Sequence, residues 1–291
     1  MILRLGRRRL ELGGRPLLMG VVNATPDSFS DAGELPDLEA RVARGAALLE
    51  DGADLLDVGG ESARGDRPPV GAQEEIERVT GVVERLSALG ATVSVDTYKP
   101  PVAAAAIEAG AVLVNDVSGL RDPALADVCA RTGAGLVLMH TRVAPKGTLL
   151  DPAAYADVVA DVAGFLRERM EVARAHGVHE EQILLDPGPD FAKTPAQTVA
   201  VLRRLDRLRA FGRPLLLAIS RKDFLGAITG RGPRERGAAT LAALDFGVRA
   251  GAAILRVHDV AAAADFLAVR SVLEGERVLA PEEGLTPDRY P

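Results

Sequence analysis

The sequence predicts a single (β/α)8 TIM barrel with a short N-terminal β-hairpin and a C-terminal extension. Eight short apolar runs of β type alternate with longer segments of helical periodicity, and no linker divides the 291 residues. Aromatic residues make up only 3% of the chain and Trp is absent, so the core must consist mainly of Leu, Val, Ile and Ala. Alternating strands and helices imply parallel pairing with right-handed crossovers, and eight such units close into a barrel of about 250 residues.

Each predicted strand is a short apolar run bounded by turn residues. The eight strands are Leu17–Asn23, Asp54–Gly60, Thr92–Thr97, Ala111–Val117, Gly135–His140, Gln182–Gly188, Pro214–Ser220 and Gly251–Asp259. The amphipathic stretches between them predict helices. These stretches include Leu38–Asp51, Glu74–Leu89, Pro101–Ala109, Tyr155–His176, Ala196–Phe211 and Arg236–Arg249. A doubly wound open sheet is disfavoured because no Gly-x-Gly-x-x-Gly motif follows any strand.

Both ends of the chain carry segments outside the barrel. Ile2–Leu5 and Leu10–Leu12 predict a hairpin that covers the bottom of the barrel, with the three arginines between them in a solvated turn. Helical periodicity stops after Leu273, so residues 274–291 are expected to form an extended tail. Residues 1–273 are therefore assigned to one domain.

Charge and composition exclude several classes of protein. The net charge of −6 disfavours a nucleic-acid or anionic-membrane surface. No run approaches the roughly 18 apolar residues of a membrane span, and no secretory leader pattern is present, so a cytoplasmic location is expected. Cys129 is the only cysteine and lies in the helical run Pro123–Arg131, which predicts a buried packing thiol.

Polar residues end all eight predicted strands, although buried parallel strands are otherwise apolar. The C-terminal ends of barrel strands converge on one mouth, where barrel active sites lie. A lone Asn or Asp in such a place is as often a helix cap, but caps alone do not explain a polar residue at every strand. The residues are Asn23, Glu61, Ser62, Asp96, Asn115, Asp116, His140, Asp186, Ser220, Arg221, Lys222, Arg256, His258 and Asp259.

These polar residues include two groups of different chemistry. Asp96, Asn115 and Asp186 offer acceptors and one amide, which suit a flat heterocycle rich in N–H donors. The second group is cationic and suits phosphate. Its members are Arg64, Lys222, Arg256 and His258. The pattern predicts a pocket that binds a heterocycle on one side and phosphate on the other.

Eight motifs occur in chain order at these strand ends. They are Met19–Asp31, Gly52–Ser62, Val95–Thr97, Val114–Asp116, Leu138–His140, Leu185–Gly188, Ser220–Lys222 and Arg256–Asp259. Together they resemble the dihydropteroate synthase family over nearly the whole chain, and the first two resemble its two signature sequences. The resemblance implies transfer of a dihydropterin-methyl group from its pyrophosphate ester to the amine of 4-aminobenzoate, in folate synthesis.

By matching positions, the resemblance implies three sets of contacts. The residues expected to hold the pterin are Asp96, Asn115, Met139, Asp186 and Lys222. Those expected to hold the pyrophosphate are Asn23, Arg64, Arg256 and His258, with Mg²⁺ bridging the pyrophosphate to Asn23. Those expected at the aminobenzoate subsite are Ala63, Phe191, Ser220, Lys222 and Asp223. The catalytic residues implied are Asp96, Asp186 and Lys222, and the family's usual assembly implies a homodimer.

The chain departs from the family pattern near the aminobenzoate subsite. Ala63–Asp66 stands where the family usually has Thr-Arg-Pro-Gly, and Asp223 stands where it usually has Ser. Asp190 and Ala192 replace two glycines. Asp223 either repels the aminobenzoate carboxylate by like charge, which would also alter the response to sulfonamides, or caps the helix Phe224–Thr229 and points away. The sequence alone leaves both interpretations open.

Two alternative functions follow from the same motifs. One is a related protein that keeps the pterin pocket but has lost or altered aminobenzoate use, with a binding or regulatory role. The other is a pterin-dependent methyltransferase that passes a methyl group to a corrinoid partner. The methyltransferase is disfavoured because it needs no pyrophosphate cluster such as Arg64, Arg256 and His258.

Overall fold

A hairpin precedes the barrel, as predicted. This computed structural model describes residues 1–25, 38–62, 67–280 and Gly284. Strand β1 (Ile2–Leu5) pairs antiparallel with β2 (Arg8–Glu11). The prediction that all three arginines lie in the turn is wrong for Arg8 and Arg9, which belong to β2. A two-residue connection is enough because Gly6 adopts a φ of 62°, which glycine accepts without a steric penalty.

Eight parallel strands form the barrel, so the predicted fold class is confirmed. They are β3 (Leu17–Asn23), β4 (Leu55–Gly59), β5 (Val93–Asp96), β6 (Leu113–Asp116), β7 (Gly135–Met139), β8 (Ile183–Asp186), β9 (Leu216–Leu217) and β10 (Ile254–Val257). Their order in the sheet is β8-β7-β6-β5-β4-β3-β10-β9. A parallel bridge between Leu185 and Leu215, with a hydrogen bond of 3.0 Å from Leu185 N to Pro214 O, joins β8 to β9 and closes the barrel.

The described helices surround this barrel. They are α1 (Leu38–Glu50), α2 (Ala72–Ala88), α3 (Pro100–Glu108), α4 (Ala124–Thr132), α5 (Val158–Ala175), α6 (Pro195–Leu202), α7 (Asp206–Arg209), α8 (Asp223–Thr229), α9 (Gly237–Arg249) and α10 (Val260–Leu273). The single helix predicted over Ala196–Phe211 is wrong, because the chain breaks there into α6 and α7. No Pro or Gly marks the break, so periodicity could not predict it. Among these helices, none combines the length and apolar composition that a bilayer crossing requires.

The core has two layers separated by the barrel wall. The larger layer lies between strands and helices and includes the buried thiol of Cys129, as predicted. The smaller layer fills the bottom of the barrel, where Leu3 and Leu5 of the hairpin pack against Met19 and Leu113. Packing there is tight, since a Cβ on Gly135 would lie 2.5 Å from a methyl carbon of Leu5. With the bottom filled by apolar side chains, the polar strand ends lie at the opposite end of the barrel.

Candidate active site at the mouth of the barrel

The cavity at the C-terminal ends of the strands has a volume of about 160 Å³. Most of the predicted pocket residues line it together. These are Asn23, Asp96, Asn115, Met139, Asp186, Phe191, Lys222, Arg256 and His258. Glu61, Val21, Val117 and Ala218 contribute further wall. The strand-end argument therefore located the cavity, because parallel strands of a barrel deliver their last residues to one mouth.

Strand alternation decides which of two neighbouring polar residues belongs to this cavity. Asn115 lines it, whereas the adjacent Asp116 is fully buried on the other side of β6. The carboxylate of Asp116 accepts hydrogen bonds from the backbone N–H of Ser118 (2.7 Å) and Leu120 (2.6 Å). Asp259 likewise caps α10 through Ala262 N at 3.1 Å. The capping explanation therefore holds for Asp259, whereas Asp116 stabilises the turn that follows β6.

A buried carboxylate that sequence reasoning did not select organises the floor of the cavity. Asp57 of β4 has no solvent exposure, and its Oδ2 lies 2.6 Å from Arg256 Nε. The same oxygen accepts a hydrogen bond of 2.9 Å from Asn115 Nδ2. Arg256 also donates from Nη2 to Asp96 Oδ2 at 2.8 Å. The available signal was a charge in the middle of an apolar parallel strand, since an unpaired charge is not tolerated there.

The guanidinium of Arg256 is thus held between two carboxylates, and its Nη1 makes no hydrogen bond to a described residue. The Oδ1 of Asp57 is buried and likewise has no hydrogen-bond partner within the described part of the chain. A buried arginine between two acids is a fixed cation with a defined orientation. Arg256 therefore has a structural role in the floor of the cavity, through Asp57 and Asp96, in addition to the phosphate contact expected from the sequence.

Asp96 and Asp186, two of the carboxylates that line the cavity, have raised pKa values. Burial raises the pKa of Asp96 to about 7, opposed by the neighbouring Arg256 guanidinium. Burial also raises the pKa of Asp186 to about 6, against the hydrogen bond of 2.7 Å that its Oδ1 accepts from Gly188 N. Both acids therefore titrate near neutral pH, and N–H donors of a ligand would favour their ionised forms.

Lys222 and His258 provide hydrogen-bond donors in the cavity, and the expectation from the sequence that His258 is cationic is not met. Lys222 Nζ lies 4.2 Å from the centre of the Phe191 ring, a cation–π contact, and burial lowers the pKa of this lysine. His258 Nδ1 lies 3.0 Å from Ser220 Oγ, which also accepts the His258 backbone N–H at 3.3 Å. The hydroxyl can therefore donate to Nδ1, which leaves the proton of a neutral imidazole on Nε2. Burial and the nearby Arg256 lower the pKa of His258 to about 4.

Comparison with known proteins gives the family. The chain matches the family of pterin binding enzymes over residues 19–258. It is 41% identical over 248 residues to the dihydropteroate synthase of Bacillus subtilis, which is 84% of each chain. The chain belongs to the dihydropteroate synthase family.

Solved structures of the family agree with the fold. The Xanthomonas albilineans dihydropteroate synthase with 4-aminobenzoic acid is 45% identical, with a TM-score of 0.87 over 94% of this chain and 99% of that one. The complex of the same organism's enzyme with 7,8-dihydropteroate is 44% identical, with a TM-score of 0.83 over 93% and 98% of the two chains.

Positions that the dihydropteroate synthase resemblance assigns to pterin and pyrophosphate are adjacent in the cavity. Asp96, Asn115, Met139, Asp186 and Lys222 all contribute to its wall. So do the pyrophosphate positions Asn23, Arg256 and His258. Arg64, the remaining predicted pyrophosphate residue, lies outside the described residues.

Positions assigned to aminobenzoate are less closely grouped. Phe191 and Lys222 are in contact, and Ser220 lies behind His258. Ala63 is outside the described residues. The side chain of Asp223 is 86% exposed and pairs with Arg236 Nη1 at 2.9 Å.

The interpretation that Asp223 caps the next helix is wrong. Helix α8 begins at Asp223 itself, and its carboxylate faces Arg236. The backbone N–H of Phe224 is instead accepted by Asp190 Oδ2 at 3.2 Å. Asp190 therefore bonds the start of α8 from a loop 34 residues earlier in the chain.

Proposed function

We propose that this chain is a dihydropteroate synthase that condenses 6-hydroxymethyl-7,8-dihydropterin pyrophosphate with 4-aminobenzoate to give 7,8-dihydropteroate and pyrophosphate in folate biosynthesis. The observation that carries the proposal is that one cavity is lined both by the acceptor groups of Asp96, Asn115 and Asp186 and by the donors Lys222 and His258. The Xanthomonas albilineans relatives support it, because their structures contain 4-aminobenzoic acid and 7,8-dihydropteroate.

Pterin recognition in this proposal uses the acceptors at the ends of β5, β6 and β8. The carboxylate of Asp186 accepts N–H groups of the pterin ring, and Asn115 offers both an acceptor and a donor. Asp57 orients Asn115 through its amide hydrogen bond of 2.9 Å. Met139 provides an apolar, polarisable surface for the ring. The raised pKa of Asp186 is lowered again when ring N–H groups donate to it.

Pyrophosphate in this proposal is bound by Asn23, Arg64, Arg256 and His258. The carboxamide of Asn23 ends β3 and lines the cavity, so its oxygen fits Mg²⁺ that is held chiefly by substrate phosphates. No group of three His, Cys, Asp or Glu side chains among the described residues forms a separate metal site. Bound Mg²⁺ would neutralise charge on the leaving pyrophosphate.

The reaction follows from this distribution of charge. The bond between the exocyclic methylene carbon and the pyrophosphate oxygen breaks, and its electron pair leaves with pyrophosphate. The reduced pterin ring delocalises the positive charge on the carbon, and the carboxylates of Asp96 and Asp186 stabilise it. Lys222 and the Nε2–H of His258 stabilise the departing charge. The amine nitrogen of 4-aminobenzoate then forms the C–N bond and loses a proton to solvent, so no protein nucleophile takes part.

An assay with the purified chain tests the proposal. The chain is incubated with dihydropterin pyrophosphate, Mg²⁺ and 4-aminobenzoate, and both pyrophosphate and dihydropteroate are quantified. We expect equal amounts of the two products, and we expect Asp186→Asn to reduce their rate by a factor on the order of 100. Pterin binding without amine-dependent product would overturn the proposal in favour of a pterin-binding relative with altered aminobenzoate use.

We further propose that the chain is a cytoplasmic homodimer that associates through its last two helices. Val269 and Leu273 of α10 are 60% and 81% exposed and line an apolar groove together with Leu241 of α9. Exposed apolar surface of this kind is typical of subunit contacts. Sedimentation should give a dimer that Val269→Glu weakens, whereas Val278→Glu, which lies beyond α10, should not change it. A monomeric unchanged chain would contradict this assignment.

A further inference from the structure

The most deeply buried cation of the described chain is a lysine outside the predicted site. Lys193 is 1% exposed, and it lies in the loop that connects β8 to α6. Its ammonium group has three N–H donors, and the structure provides an acceptor for each. These are Gly188 O at 2.9 Å, Phe191 O at 3.0 Å and His140 Nδ1 at 2.7 Å. A fully bonded ammonium group can be buried without leaving an unsatisfied donor.

The loop that these bonds hold has an unfavourable backbone conformation. Gly188, Asp190 and Ala192 have φ angles of 63°, 64° and 51°, and only the first is glycine. L-residues in this left-handed region cost conformational energy, so surrounding contacts must maintain them. Tyr155 Oη contributes one such contact by donating to Ala192 O at 2.6 Å. Lys193 contributes two, on either side of Asp190.

His140 is the third partner of Lys193, and its protonation follows from the geometry. An ammonium group cannot accept, so His140 Nδ1 accepts and the ring proton is on Nε2. Nε2 then donates to Asp161 Oδ1 at 3.0 Å, and Asp161 is also bonded by Arg142. Burial lowers the pKa of Lys193 to about 7 and that of His140 to about 4. The lysine therefore keeps the shared proton, and the imidazole is the acceptor.

We propose that Lys193 is a positioning residue that holds the loop of residues 187–192 against His140, at the end of β7, and so places Phe191 beside Lys222 at the second-substrate side of the mouth. The inference rests on the proposed function. The main chain of Asp186 is held independently of the loop, because it pairs with Met139 in the β7–β8 ladder, and its carboxylate meets the loop at Gly188 N, at the end next to the strand. Phe191 lies outside any strand and depends on the loop. Loss of the ammonium group should therefore weaken binding of the aromatic amine more than binding of the pterin.

Lys193→Met tests this difference, since it keeps an apolar stem of similar length and removes the three donors. We expect its KM for 4-aminobenzoate to rise about 10-fold or more, with less than about a 3-fold change in KM for dihydropterin pyrophosphate. Gln182→Met is the matched control. Gln182 is also fully buried and donates to two backbone carbonyls, Cys129 O and Ala134 O, but it lies just before β8 at the bottom of the barrel. It should change stability without changing either KM.

A proportional change in both KM values of Lys193→Met, or a profile like that of Gln182→Met, would overturn the proposal. The histidine ¹⁵N spectrum of the unchanged chain gives a second test that needs neither turnover nor a stable variant. It should show His140 with Nε2 protonated and Nδ1 unprotonated, and a proton on Nδ1 overturns the proposal. Product formation by the unchanged chain decides the proposed function separately, so the two ideas can fail independently.

Discussion

The charged side chains at the mouth are of two kinds. Those of the first kind line the cavity and can contact a ligand, and those of the second kind are buried and fix the position of another side chain. Asp57 illustrates the second kind, because it is fully buried and bonds both Arg256 and Asn115 through one oxygen. Removing one member of a buried ion pair costs more than the pair contributes, since the partner's charge is left without compensation. The floor of the cavity therefore depends on a residue that need not contact substrate.

Asp57→Asn should lower the free energy of unfolding by about 3 kcal/mol, the lower part of the range for a broken buried pair, because Arg256 keeps Asp96 as a partner. Urea denaturation measures the change. Glu74→Gln is the control, as Glu74 forms an exposed (i, i+4) pair with Arg78 that is worth about 0.5 kcal/mol or less. Equal effects of the two substitutions would contradict a structural role for Asp57.

The raised pKa of Asp186 should make the stability of the fold depend on pH. Its pKa in the folded chain is about 6, above the usual value of about 4, so the folded state binds the proton more tightly than the unfolded state. The stabilising contribution is complete below about pH 4 and is lost as the pH rises through about 6. Asp186→Asn should therefore flatten the free energy of unfolding between pH 4 and 6. Parallel pH profiles for both chains would show that the carboxyl titrates normally.

The loop between β8 and α6 contacts several other secondary-structure elements. Gly188 packs against β7, Asp190 bonds the start of α8, and Thr198 of α6 donates to Asp190 Oδ1 at 3.1 Å. This one loop thus links four elements on the side of the mouth where Phe191 lies. Such coupling explains how Asp190 and Ala192 can adopt left-handed conformations that an isolated loop would avoid.

Gly188→Ala should be much more damaging than the same substitution at a left-handed glycine with free space around it. A Cβ there would lie 2.1 Å from the backbone oxygen of His140, which cannot move without disturbing β7. We expect a loss of more than about 2 kcal/mol in unfolding free energy, together with reduced synthase activity. Gly212→Ala is the matched control, because Gly212 has a φ of 67° but nothing within 4 Å of the added atom. It should cost about 1 kcal/mol, from backbone conformation alone; similar losses at the two sites would refute the steric argument.

In the whole molecule, the residues that stabilise the fold and the residues of the candidate site lie at opposite ends of the barrel. The hairpin and the apolar layer fill the bottom, whereas the mouth contains the charged and strained groups. Barrels of this class commonly divide these tasks between their two ends. A change at the bottom should therefore alter stability and leave substrate affinity unchanged.

Leu5→Ala tests that separation. Leu5 is fully buried and contacts the inner surface near Gly135, so its truncation should cost about 2–5 kcal/mol. Ile2→Ala, at a position 38% exposed in the same strand, should cost about 1 kcal/mol or less. Both variants should keep the KM values of the unchanged chain at temperatures where they are folded. An altered KM in Leu5→Ala would show that the two ends are coupled.

Local patterns in the sequence were enough to predict the eight strands, the barrel and most of the cavity. The period of apolar residues identifies strands and helices, and barrel geometry requires the strand ends, including Asn23, Asp96 and Asp186, to meet at one mouth. The ordered motifs gave the family. These patterns describe only residues that are close in sequence, so they left open whether Asp223 caps α8, and the structure shows that it does not.

Pairing between distant residues was decided by the tertiary structure alone. Arg256 and Asp57 are 199 residues apart, and only closure of the barrel makes their ion pair possible. The same holds for His140 and Lys193, 53 residues apart, and for Asp190 and Phe224. A buried charge must find a partner, but the sequence contains many candidate partners, and the choice among them depends on which side chains the folded barrel brings within hydrogen-bond distance.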